Sequence, residues 1–125
     1  MLIGYIVIAG ILGTLARFYL QGWVQQRSGF AVFPIGTLGI NLIGSFIIGL
    51  VMRLATGTTL ISPDMRSALT IGFCGAFTTM STFSYETMKM LADGEYWLAG
   101  LYMAGTVIGG IGAVIAGTGL AGRML

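Results

Sequence analysis

Long apolar runs alternate with short polar breaks four times along the chain. The first, residues 2–21, reads LIGYIVIAGILGTLARFYLQ and meets no charge before Arg17. Residues 33–54, 67–91 and 96–121 repeat the pattern. About 20 apolar residues carry an α-helix across the hydrocarbon core of a bilayer, and each run supplies that many. The pattern predicts an all-α integral membrane protein, a single domain over residues 1–125 with four transmembrane helices. The first run lacks a basic leader and a small-residue cleavage site and is longer than a signal-peptide core, so it is read as a retained helix. QQRSGFAVFP and ATGTTLISPD hold the only prolines, Pro34 and Pro63, and predict loops. MLADGEYW predicts a tight turn, with Tyr96 and Trp97 at interfacial depth.

Composition sharpens this. The 125 residues are 56% hydrophobic and 8% charged, against about 25% charged in an average soluble domain. That balance excludes a soluble globular protein, and it excludes disorder, which needs low hydrophobicity and high net charge. A net charge of +2 without histidine offers no basic patch, so no nucleic-acid partner is expected. The single cysteine, Cys74, cannot close an internal disulfide and reads as small apolar filler. Without histidine, a metal cluster or a nucleophile–base pair, no enzyme is expected.

Charge also bears on orientation, because Lys and Arg near helix ends set topology. With the N-terminus on side one, that side receives Arg53, Arg66 and Arg123; side two receives Arg17, Arg27 and Lys89. The tie leaves two readings. Acidic residues, the amino terminus or a partner decide the orientation, or molecules insert both ways and pair antiparallel. Gly105, Gly109, Ala113, Gly117 and Ala121 form a stripe of small residues at a spacing of four. Such a stripe lets helices approach closely, either within one subunit or between subunits.

Polar groups cluster inside the runs. Thr37, Asn41 and Ser45 share one helix face, as do Tyr102, Thr106 and Gly110. The segment GFCGAFTTMSTFSYE, residues 72–86, brings Thr78, Thr79, Ser81, Thr82, Ser84 and Glu86 among Phe77, Phe83 and Tyr85. A Ser or Thr can satisfy itself on its own helix's carbonyls. The amide of Asn41 cannot, and it requires a partner or a permeant species. Gly72 and Gly75, placed before the hydroxyl-rich run, predict a helix that unwinds and restarts at mid-membrane. Non-helical backbone is tolerated there only inside protein or along a wet cavity. Neutral donors and aromatic rims, without a cationic ring or an acidic cluster, suit a small dehydrated anion that must also leave.

Two segments, GTLGINLIGSFIIG at 36–49 and GFCGAFTTMSTFSYE at 72–86, resemble the signature segments of the Fluc (CrcB-type) fluoride channels. GILGTLARF at 10–18 resembles that family's first helix, and the likeness extends over essentially the whole chain. The resemblance implies an antiparallel dual-topology homodimer in the bacterial cytoplasmic (inner) membrane, with four helices per subunit and two fluoride pores. It implies that Asn41 is the pore asparagine and that the Phe83 ring edge meets fluoride. Thr79, Ser81 and Thr82 then stand near the ion's route, Tyr102 and Thr106 form a polar track, Glu86 lies beside the pore, and Arg17 lies near a vestibule. Backbone carbonyls of Gly75 and Thr78, from both subunits, are implied to hold a central structural sodium ion. The chain departs from the family's pattern at Met80, where a phenylalanine is usual, and at Gly110, often serine. The function implied is passive fluoride efflux, which protects a cell from fluoride. The alternative is a small four-helix proton-coupled multidrug antiporter, for which Glu86 is the only carboxylate inside the predicted helices.

Overall fold

The computed structural model describes residues 1–125 and is helical throughout. Helix α1 spans Leu2–Ser28 and stops where Gly29 takes a left-handed conformation, φ 73°. Helix α2 spans Ile35–Gly57 and follows Pro34, which lacks the N–H that would extend a helix backwards. Helix α3 starts with Ser62 capping the Met65 N–H and Pro63 in the first turn. It comprises Pro63–Ser67, a π-helical stretch Ala68–Cys74 and a last turn Gly75–Phe77. Two extended residues, Thr78 and Thr79, separate it from α4, Met80–Ala92. A turn through Gly94, φ 79°, leads into α5, Tyr96–Met124.

Three helices, α1, α2 and α5, are each long and apolar enough to cross a membrane. The run predicted at 67–91 is a bent pair, α3 and α4, and the break falls inside it as expected. Its position and cause differ from the sequence reading. Gly75 has ordinary helical angles, φ −62° and ψ −36°, and Gly72 lies within the π-helical stretch. The extended residues are Thr78 (φ −90°, ψ 159°) and Thr79 (φ −147°, ψ 121°). β-Branched side chains favour extended backbone, and neighbouring helices satisfy part of what the break exposes, Asn41 at Thr79 and Arg17 at the Ala76 carbonyl. The segment predicted as a loop at 25–34 is helical as far as Ser28, so α1 gains two turns beyond residue 21.

Backbone-to-backbone approach at glycine holds the bundle together. A methyl group at Gly49 would collide with the Val114 carbonyl, and one at Gly117 with the Phe46 carbonyl, so α2 and α5 touch along their main chains. The small-residue stripe of α5 is therefore used within the subunit: Gly109 packs on Leu42, Gly117 on Phe46, and Ala121 is fully buried. Gly13 meets the Phe73 carbonyl and Gly72 the Ile6 carbonyl, which brings α1 against α3. Small residues serve this purpose in lipid, where packing rather than hydrophobic transfer drives helix contact. Only 19 of the 125 residues are buried, so most apolar side chains face outward, as a bilayer permits. A compact cluster of Phe83, Met90, Ala99 and Tyr102, with Phe33, Leu38 and Leu98 against it, ties α4 to α5.

Candidate functional site: a polar seam at the helix break

Asn41 projects from α2 onto the break. Its Nδ2 donates to the Thr79 carbonyl at 3.1 Å, and its Oδ1 accepts the Thr79 N–H at 2.8 Å. The side-chain amide thus pairs with the backbone N–H and C=O of one residue as a neighbouring strand would, and it replaces the helical bond that the Thr79 N–H forgoes. One turn further along α2, the methyl of Thr78 sits where a Cβ on Gly44 would be. Asn41 and Gly44 together pin the break against α2. Thr78 bonds back to the Cys74 carbonyl through its N–H at 3.0 Å and its hydroxyl at 2.8 Å. Thr79 caps α4: its Oγ1 accepts the Thr82 N–H at 3.2 Å and donates to Thr82 Oγ1 at 3.0 Å.

The break also frees carbonyls on the α3 side. Gly75 loses its ordinary donor, because the Thr79 N–H is turned to Asn41. Arg17, well short of the end of α1, donates from Nε to the Ala76 carbonyl at 3.0 Å. This places a guanidinium inside the bundle rather than at a helix end. A topology tally based on helix ends therefore excludes Arg17 and stands at three against two.

Below the break, Phe83 lies against Tyr102, with ring centroids 5.0 Å apart and planes at 57°. The Tyr102 hydroxyl, fully buried, donates to Glu86 Oε1 at 3.0 Å. Thr106, one turn along α5, carries the one buried side-chain polar atom without a hydrogen-bond partner. A stranded hydroxyl costs about 1–3 kcal/mol, so Thr106 is a local cost in the isolated subunit. Ser45 on α2 faces Gly110. The break therefore gathers Asn41, Thr78, Thr79 and Thr82, and a second group unites Phe83, Tyr102 and Glu86. Met80 (72% exposed) and Ser81 do not converge with them and lie on the outside of the subunit, whereas Gly75, also exposed, lines a cleft with Gly44, Ser45 and Thr78.

Two residues absent from the sequence reading complete the picture. Gln21 Nε2 donates to Thr37 Oγ1 at 2.8 Å. Gln25 holds the α1–α2 loop with three bonds: Nε2 to the carbonyls of Phe30 (3.0 Å) and Phe33 (3.1 Å), and Oε1 from the Gly36 N–H (2.9 Å). With Thr14 and Arg17 they line a cleft of about 520 Å³ whose opposite wall carries Thr37 and Glu86. The signal was available as a polar row, Thr14, Arg17, Gln21 and Gln25, at helical spacing. Ending the first span at residue 21 cut that row in two.

Fold and site together define a polytopic membrane protein with a polar seam beside an interrupted helix. Residues 4–118 match the model of the family described as CrcB-like protein, Camphor Resistance (CrcB). The chain belongs to the CrcB family. It is 50% identical over 104 residues, 83% of either chain, to a protein of Geotalea daltonii named fluoride-specific ion channel FluC. Proteins of the same name from Geobacter sulfurreducens (52% over 102 residues, 82% of either chain) and Chlorobaculum tepidum (48% over 112 residues, 90% of this chain and 87% of the relative) are similar to it over nearly the same length.

Proposed function

We propose that this chain forms a fluoride-selective ion channel that lets the anion leave the cell down its electrochemical gradient. The observation that carries the reading is the Asn41–Thr79 pairing. It holds open a break inside a membrane-spanning segment and leaves the second Nδ2 hydrogen of Asn41 uncommitted. The uncommitted Asn41 N–H, the Thr106 hydroxyl and the rim of the Phe83 ring offer positive ends without a full charge. Such groups replace water around a small anion yet bind it weakly enough for release. Arg17 adds a positive field but is tethered to the Ala76 carbonyl. No co-transported ion is required: fluoride enters as neutral HF from acidic surroundings, ionises at neutral pH and is trapped until a channel opens a route.

The working unit in this reading is an antiparallel homodimer in the bacterial inner membrane. Gly75, Met80 and Ser81 lie outside the single subunit although they flank the break, which is where a second copy would complete the pore. Met80 then offers a polarisable thioether where a phenylalanine is usual. The residues also fit a sodium ion at the dimer centre. Neutral carbonyl oxygens are suitable sodium ligands, the Gly75 carbonyl lacks its helical donor, and the Thr78 carbonyl accepts no backbone hydrogen bond. One subunit supplies two such oxygens, so the site requires both. Bound sodium would supply a positive charge joining the two broken helices.

The antiporter reading has less support, since its sole intramembrane carboxylate, Glu86, is engaged by Tyr102. Reconstituted protein tested with a fluoride electrode should release fluoride from liposomes and retain chloride, and Asn41→Ala and Phe83→Ile should each slow release. Equal passage of both halides refutes selectivity; transport that follows an imposed pH gradient supports the antiporter.

A further inference from the structure

Glycines on α1 are used in two ways. Gly13 admits no side chain, because the Phe73 carbonyl of α3 closes upon it. Gly22 has nothing within 4 Å of the place a Cβ would take, so no neighbouring helix fills that space. It lines instead an outward-facing notch of about 770 Å³, walled by Phe18, Tyr19, Trp23 and Gln26. All four walls are exposed, and three of them are aromatic. On its other side Gly22 borders the polar cleft of Arg17 and Gln21.

The notch lies at a definite depth. Helix α1 has 27 residues and so runs about 40 Å, against about 30 Å of hydrocarbon in a bilayer. Residues 2–16 carry no charge, and Gln25, Gln26 and Arg27 close the helix, so the excess length belongs to its C-terminal end. That end reaches the headgroup layer, the usual level of a tryptophan such as Trp23. Arg27, in the last turn, holds its guanidinium over the Trp23 ring, 5.7 Å from the centroid. Stacking uses the flat face of the guanidinium and leaves its N–H edge for an anion. Arg27 is exposed and enters no ion pair within the chain. Phe18 lies about 13 Å deeper along the helix.

A second helix fits this notch poorly. Close helix approach needs small residues a turn apart, and one turn either side of Gly22 stand Phe18 and Gln26. An acyl chain is thin enough to lie between the rings. An unpaired cation above an apolar notch then matches the two parts of a lipid whose head is negative, because a zwitterionic head brings its own cation to Arg27. Arginine takes a phosphate through two parallel N–H bonds, and the Gln26 amide has donors for the oxygens beside it. We propose that this face of α1 binds an anionic phospholipid, with an acyl chain over Gly22 between Phe18, Tyr19 and Trp23 and the headgroup on Arg27 and Gln26.

The site is independent of the ion conducted, and fluorescence tests it. Brominated lipids quench a tryptophan that they touch, and the chain has two, Trp23 and Trp97. Trp97→Phe leaves Trp23 as the reporter. Trp23→Phe leaves Trp97, at the start of α5, as the control for a general attraction of anionic lipid to the protein surface. In phosphatidylcholine vesicles, brominated phosphatidylglycerol is expected to quench Trp23 at about a fivefold lower mole fraction than brominated phosphatidylcholine, the worth of one cation near a lipid surface. Trp97 is expected to show no preference. In the Trp97→Phe protein, Arg27→Gln is expected to abolish the preference while quenching by both lipids persists. Gly22→Leu, which fills the notch at a position with room for a side chain, is expected to reduce quenching by phosphatidylglycerol to the level of phosphatidylcholine. An equal preference at both tryptophans overturns the proposal, since the surface field alone then accounts for it. So does a preference that survives Arg27→Gln, and so does a Trp23 that neither lipid quenches, which places protein over the notch. Should Gly22→Leu fail to fold, Arg27→Gln, a change at an exposed side chain, decides the matter by itself.

Discussion

Single side chains in this protein do the work that secondary structure does elsewhere. Asn41 satisfies both backbone polar groups of Thr79, so its replacement has two separable consequences. Asn41→Asp keeps an acceptor for the Thr79 N–H but strands the Thr79 carbonyl and places a negative charge at the seam. It is expected to lower stability by about 1–3 kcal/mol, read as a fall in melting temperature in detergent, and to abolish fluoride efflux. Thr106 is the opposite case. Its hydroxyl has no partner within the subunit, so Thr106→Val leaves nothing stranded. Thermal stability is expected to hold or rise by up to about 1 kcal/mol, while efflux slows if that hydroxyl serves the ion. A matching loss of stability would instead place an internal partner on Thr106. The asparagine's need for a partner was legible from its chemistry. That the partner is a peptide group of the break was not, because residues 41 and 79 meet only across the bundle.

Whole helices obey a second logic, set by where main chains can touch. The contact between α2 and α5 depends on Gly49 and Gly117, each closed upon by a carbonyl of the other helix. Gly117→Val is expected to push the two apart and leave little monodisperse protein by size-exclusion chromatography, whereas Gly112→Ala, at a position with open space, is expected to behave like the unaltered chain. The helix break follows a related rule. Glycines at 72 and 75 look like hinges in the sequence, yet Gly72 is there because Ile6 and Ala9 press against it. The hinge passes to the threonines, whose extended backbone is sustained by Asn41 and by the Thr79 cap on α4. Removing the cap with Thr79→Ala should cost about 1 kcal/mol, with Thr79→Ser restoring it in the same melting assay.

At the scale of the molecule, the question is what meets the outer face of the break. Gly75 is exposed, and a Cβ there would have no neighbour closer than the Thr70 carbonyl at 3.8 Å. Gly75→Ala should therefore leave each subunit folded, as circular dichroism would report. If a second copy covers this surface, the same change is expected to weaken the dimer in detergent cross-linking. An unaffected dimer places the partner interface elsewhere. Orientation belongs to this scale too. With Arg17 drawn inside the bundle, the basic residues near helix ends are nearly even, three against two, and two added lysines at one end are enough to bias insertion. In the dual-topology reading, such a chain alone should lose fluoride export, and co-expression with a chain biased the other way should restore it.

Hydropathy by itself determined the class of this protein: bilayer-length apolar runs with few charges leave only a membrane bundle as a stable outcome. It also pointed to an interruption in the run at 72–86, whose glycines precede a cluster of hydroxyls, without placing it. Tertiary structure decided the rest, because each remaining feature depends on groups distant in sequence. The break settles at Thr78 and Thr79 because the Asn41 amide reaches that peptide. Arg17 lies inside because the Ala76 carbonyl is free to receive it. The small-residue stripe of α5 turns inward because the backbone of α2 is there to meet it. Periodicity shows which residues share a face; which groups that face meets is set only when the helices pack.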